Sequence, residues 1–169
     1  LHAEVWLAYN RRFYEATRKA REIILADGGA TSLHFEFTEW SHKIRLIEGK
    51  TEIKAVWFLA NSTHVVDLAF HLCGFPKDWQ SWSSGILDWH PASARFSGAG
   101  MTDQNVVFSY FADWEAPGRW GVEVMTRKNR LILRPMEQLQ ITPHGSLKEE
   151  AVILEDKLDR DFKPGLYRQ

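Results

Sequence analysis

Apolar residues recur in this chain with two periods. Phe13, Ala16, Ala20, Ile23 and Ile24 return at steps of three and four and predict a first helix, stopped by Asp27-Gly28-Gly29. Asn10 is its expected N-cap, and Glu15 with Lys19 and Arg18 with Glu22 are expected charge pairs on its exposed face. Leu33, Phe35 and Phe37 then alternate with His34, Glu36 and Thr38, the period of a strand with one face on a core. Ile44 and Leu46 alternate weakly and leave strand and loop both open. Ile53, Val56, Trp57 and Ala60 return to helical spacing and lead into Val65, Leu68, Ala69 and Leu72, a helix ended by Gly74 and Pro76. The two runs read as one helix broken at Asn61-Ser62-Thr63, whose side chains are expected to cap the second part.

Beyond Pro76 the pattern is of strands and tight turns. Expected strands cover Trp79 to Gly85, Ala94 to Ala99, Val106 to Phe111, a segment through Val122 and Val124, a return through Leu131 and Leu133, and another through Leu139 and Ile141. A last one is expected over Val152 to Leu154. Pro117-Gly118, Lys128-Asn129 and Pro143-His144-Gly145 supply turns, and Pro135 confines its strand to an edge or an end. Short links between successive strands favour antiparallel pairing. The expected fold is therefore one α+β domain over residues 1–169, a mainly antiparallel β-sheet with its helices packed on one face. Val5 to Tyr9 has strand character without obvious partners, and Asp159 to Gln169 reads as a polar exit.

Composition narrows the function classes. With 169 residues and 44% hydrophobic content the chain can bury a sizeable core. A net charge of -1 gives no basic excess for nucleic acid or a lipid surface. One cysteine, Cys73, excludes a disulfide framework and a cysteine zinc cluster; it reads as a small core residue, and a reducing cytoplasm is the expected location. Eight tryptophans stand out, several of them near expected loops, where flat rings can pack a core, meet a partner subunit or stack on a sugar.

The chemistry concentrates at His64, Asp67 and His71, three and four residues apart on one helix. A histidine titrates in the range needed to take a proton from a hydroxyl, and Asp67, one turn on, is placed to hold its ring in one tautomer. The same spacing would let all three converge on a metal ion. A third reading makes Asp67 and His71 hydrogen-bonded structural residues. Neither a glycine-rich phosphate loop nor a Gly-x-Ser-x-Gly elbow occurs, so no cofactor-binding site is expected in this chain.

Tyr9-Asn10-Arg11-Arg12-Phe13 and the stretch from Asn61 to Gly74 give the chain a resemblance to the Gfo/Idh/MocA family of nicotinamide-dependent oxidoreductases, restricted to the family's C-terminal domain. The resemblance implies that residues of about 4–10 are the last strand of a nucleotide-binding domain that is missing here. It also implies NAD or NADP as cofactor, held mainly by that domain, and a catalytic lysine supplied from there. His64 matches the family's proton-moving histidine. The aspartate often found four residues before it is Ala60 here, with Asn61 the nearest polar substitute. The implied role is the substrate-binding and oligomerising domain of a sugar or polyol dehydrogenase that self-associates through its sheet. Expected site residues are His64 and Asn61 for catalysis, and Tyr9, Trp40, His42, Trp114 and Arg119 for the substrate. A catalytically silent assembly domain is the alternative.

Overall fold

The structure is a computed structural model and describes residues 7–169. The alternation around Phe35 builds β1 (Ser32–Glu36), which buries Leu33 and Phe35 on one face and turns His34 and Glu36 to the other. The remaining strands are β2 (Pro76–Ser84), β3 (Arg95–Thr102), β4 (Val107–Asp113), β5 (Gly121–Met125), β6 (Asn129–Leu133), β7 (Gln140–Pro143) and β8 (Glu150–Ala151). They form one sheet in the order β2-β3-β4-β1-β5-β6-β7-β8. Each pairing is antiparallel except that of β1 with β4, where Phe35 lies opposite Tyr110. A parallel neighbour needs a crossover over one face of the sheet, and the helices between β1 and β2 provide it.

Those helices are α2 (Ser41–Ile44), α3 (Thr51–Ala55) and α4 (Thr63–Cys73); α1 (Glu15–Ala26) precedes β1 and α5 (Lys157–Asp161) ends the chain. Ala16, Ala20 and Ile24 of α1 and Val65, Leu68, Ala69, Leu72 and Cys73 of α4 share one core with Leu33, Phe35, Phe108, Val122, Val124, Leu131 and Leu133. The expected α+β layering holds, with the main helices on one face. On the other face, Trp82, Met101, Val107 and Phe111 are exposed. Among the described residues no helix is long and apolar enough to cross a membrane.

Several local expectations are corrected. Ile44 ends the short helix α2 and Leu46 lies in the turn after it, so the segment left open between strand and loop is not a strand. Phe58–Ser62 forms a π turn that runs directly into α4, and Ser62 itself has helical backbone angles. The backbone never leaves the helical region there, so no side-chain cap forms. Asn10 does not cap α1: it opens a 3-10 turn, Asn10–Phe13, and its amide donates to the Pro164 carbonyl at 2.8 Å. The charge pairs on α1 exchange partners and are spaced three residues apart, not four: Arg18 with Glu15 at 2.9 Å and Lys19 with Glu22 at 3.1 Å. The final strand is β8, just before Val152 to Leu154.

Residues 159–169, read as a polar exit, pack back on the start of the chain. Asp159 accepts the Glu15 amide at 2.7 Å and the Gly165 amide at 3.0 Å, and Arg168 pairs with Glu15. Gly165 passes so close to the Asn10 carbonyl that a Cβ would lie 2.0 Å from its oxygen, and its φ of 72° also favours glycine. The tail thus clamps the segment that carries Tyr9 to Arg12. Leu7 to Tyr9 take no regular structure, and residues 4–6 of the strand expected ahead of them lie outside the described residues.

Candidate functional site

Because β1 and β4 run parallel, both finish at the same end of the sheet, where β5 starts and the first turn of α4 lies. That end gathers Thr38-Glu39-Trp40 after β1, His64 on α4, Arg119-Trp120 before β5, and the Tyr9 to Arg12 segment.

His64 is half-buried, and its ring meets Tyr9 edge-on with centroids 5.5 Å apart. Its Nδ1 is buried and has no hydrogen-bond partner among the described residues; Ala60, one turn back, offers only a methyl group. Burial, and then Arg11 and Lys163, push the imidazole pKa below its ordinary value of 6.5, while Asp67 pulls it up. The net direction is downward, which keeps the ring neutral at pH 7 and able to accept a proton.

Asp67 does not hold that ring. Its carboxylate is bound from both oxygens by Arg12, through Nε at 2.8 Å and through Nη2, and this bond raises the Arg12 pKa. Arg12 also lies 5.7 Å from the centre of the Tyr9 ring. Asp67 therefore acts on the site at one remove, by fixing the arginine against which Tyr9 rests. Among the described residues no three His, Cys, Asp or Glu side chains are grouped to hold an ion, and Arg12 occupies both oxygens of Asp67. His71 is half-buried, and its pKa is lowered by burial and by Arg12 and Arg21.

Sequence reasoning missed Glu39. The residue is only 6% exposed and accepts from Ser62 Oγ at 2.7 Å and from Asn61 Nδ2 at 3.1 and 3.3 Å. The indoles of Trp57 and Trp120 also face it, although Trp57 Nε1 falls short of hydrogen-bond geometry. Burial raises its pKa, and these donors offset part of that rise. Two adjacent polar residues at a helix break, Asn61 and Ser62, were the available signal: when both turn inward they require an acceptor. Asn61, expected to assist catalysis, donates to Glu39 instead.

The substrate candidates divide. Tyr9 reaches His64. Trp40 is half-exposed, stacks on the exposed His42 at 6.2 Å and donates from Nε1 to the Gly118 carbonyl at 3.0 Å. Trp40 and His42 line a pocket of about 770 Å³ with Arg45, Asp88 and Glu115. Trp40 also borders a second pocket of about 400 Å³, lined by Arg11, Glu39, Lys43, Arg119, Trp120 and Glu137. Trp114, expected as a loop residue contacting the substrate, is 1% exposed: its Nε1 donates to the buried Phe37 carbonyl at 3.1 Å and its ring stacks on Trp89. It belongs to the core beneath the first pocket. Cys73 is fully buried, and burial alone pushes its thiol to about 12.

No family model matches the chain, and no curated protein does. Solved structures match its fold. Levoglucosan dehydrogenase in complex with NADH and levoglucosan superposes with a TM-score of 0.68 at 18% identity, over 86% of this chain and 46% of its own. UDP-N-acetylglucosamine 3-dehydrogenase from Acidithiobacillus ferrooxidans gives 0.63 at 16% identity, over 88% of this chain and 46% of its own. An oxidoreductase from Pseudomonas syringae gives 0.64 at 13% identity, over 85% and 40%. The chain thus spans about half the length, or less, of these structures, and over that span it has the fold of Gfo/Idh/MocA-type oxidoreductases.

Proposed function

We propose that this chain is the substrate-binding and self-associating part of an NAD(P)-dependent oxidoreductase acting on a sugar or polyol-like hydroxyl, with His64 as the proton acceptor. The observation that carries this reading is a neutral, half-buried imidazole beside Tyr9 at the loop-bearing end of a fold shared with sugar dehydrogenases. As the substrate alcohol becomes a carbonyl, its hydroxyl proton passes to the imidazole and its carbon loses a hydride. NAD or NADP, bound outside this chain, supplies the acceptor for that hydride. Arg12, held by Asp67, keeps Tyr9 against the histidine, so that the ring is positioned before substrate arrives.

The chain has no glycine-rich turn to cradle a dinucleotide pyrophosphate. Titrating it with NADH and NADPH while following fluorescence is therefore expected to show no saturable binding in the micromolar range. Saturable binding would overturn the assignment of the cofactor to another domain.

The second reading, a catalytically silent assembly domain, draws on the outer face of the sheet, where Trp82, Met101, Val107 and Phe111 are exposed together on β2, β3 and β4. Exposed side chains of this size on one sheet face favour a protein contact, and in both readings that contact is a second copy of the chain. Equilibrium sedimentation is expected to show concentration-dependent self-association that Phe111→Lys weakens. A clean monomer at high concentration would remove the oligomerising role from both.

A further inference from the structure

We infer that the pocket between Arg11, Lys43 and Arg119 is a subsite for an oxyanion carried by the substrate, a carboxylate or a phosphate on the sugar. This deepens the proposed function and rests on it for the sugar, while the anion site stands on the geometry alone. Arg11 lies over the Trp120 ring at 4.8 Å, and its Nε is buried without a hydrogen-bond partner. Among the described residues it has no carboxylate within ion-pair distance, whereas its neighbour Arg12 is fully paired with Asp67. Leaving a part-buried guanidinium without an acceptor is unfavourable, and burial accordingly depresses the Arg11 pKa. Its planar fork suits two oxygens of one carboxylate or phosphate.

Lys43 and Arg119 line the same space of about 400 Å³, and neither forms an ion pair among the described residues. Two carboxylates also border it. Glu39 is turned to Ser62 and Asn61, and its burial favours the neutral form. Glu137 acts on Arg11 only at a distance, without an ion pair. Three cations thus face one pocket with a single free carboxylate, and the indole faces of Trp40 and Trp120 at its border suit the C–H face of a sugar ring.

Titration calorimetry on the 169-residue chain at low ionic strength tests this, with D-gluconate, D-glucose 6-phosphate, D-glucose and inorganic phosphate as probes. Both anionic sugars are expected to bind about tenfold or more tightly than glucose, with phosphate competing. Arg11→Gln is expected to abolish that preference, and Lys43→Gln, at an exposed position, to reduce it about two- to threefold with the melting temperature unchanged. Equal affinity for glucose and gluconate overturns the anion site and leaves the dehydrogenase reading standing. Saturable phosphate binding that Arg11→Gln removes, with no sugar bound, upholds the anion site and overturns the sugar reading. Adding NADH separates the two sources of phosphate: displacement of bound inorganic phosphate by NADH would assign the pocket to the cofactor and overturn the proposal.

Discussion

Replacing His64 by alanine is expected to lower turnover of a sugar substrate by about a hundredfold or more, measured with the nucleotide-binding domain present. The ring is half-buried and makes no hydrogen bond through Nδ1, so its removal takes away a proton acceptor without leaving a buried partner unsatisfied. Circular dichroism and the melting temperature should therefore stay close to wild type. The pH profile gives a second readout. The base acts when deprotonated and its pKa is lowered from 6.5, so kcat/KM should rise with pH through a midpoint below 6.5 and lose that limb in the variant. Stability moves in the same direction. His64, His71 and His90 all have folded-state values below the ordinary one, so under acid conditions the unfolded chain binds more protons than the folded chain. Their effect is absent well above pH 6.5 and destabilises the fold as pH falls below it. Wild-type turnover in His64→Ala would remove His64 as the proton acceptor.

Phe35→Ala is expected to cost about 3–5 kcal/mol of folding stability, the range for truncating a buried aromatic side chain. Phe35 sits on the central strand, 2% exposed, stacked on Tyr110 at 5.4 Å and edge-on to Phe70 at 5.6 Å. It also borders a groove of about 600 Å³ between the helices and β2, β3 and β4. Part of the space left by truncation would join that groove and admit water, which places the expected loss toward the lower end of the range. Urea unfolding should show it directly, alongside a fall in melting temperature of roughly 10 °C. Trp82→Ala, on the open face, should change monomer stability by no more than about 0.5 kcal/mol. A loss below about 1 kcal/mol for Phe35→Ala would mean that the ring cluster is not the core of the domain.

What could be read from the sequence follows from the range of the interactions. Alternation and helical spacing report local faces, so the strands around Phe35, Phe108, Val122 and Leu131, and the helix of Val65 to Leu72, were legible. The histidine was legible too, as the ionisable residue opening that helix. The partner of Asp67 was not: helical spacing pointed to His64, while Arg12, 55 residues away, occupies both carboxylate oxygens. Glu39 was hidden for a related reason. A carboxylate after a strand ordinarily faces water, and its burial depends on donors from a helix break more than twenty residues later. Trp114 misled because it adjoins a turn, although the backbone carbonyl it needs lies inside the core.

The place of β1 between β4 and β5 also bears on how the chain folds as it leaves a ribosome. Residues 32–36 are made before the strands that flank them, which comprise residues 107–113 and 121–125. The segment β2-β3-β4 and the segment β5-β6-β7 each close through neighbours in sequence, whereas β1 must wait until residue 125 has emerged. Until then β1 lacks the ladder partners on both of its edges, and an apolar segment carrying Leu33, Phe35 and Phe37 with both edges unpaired is suited to chaperone binding.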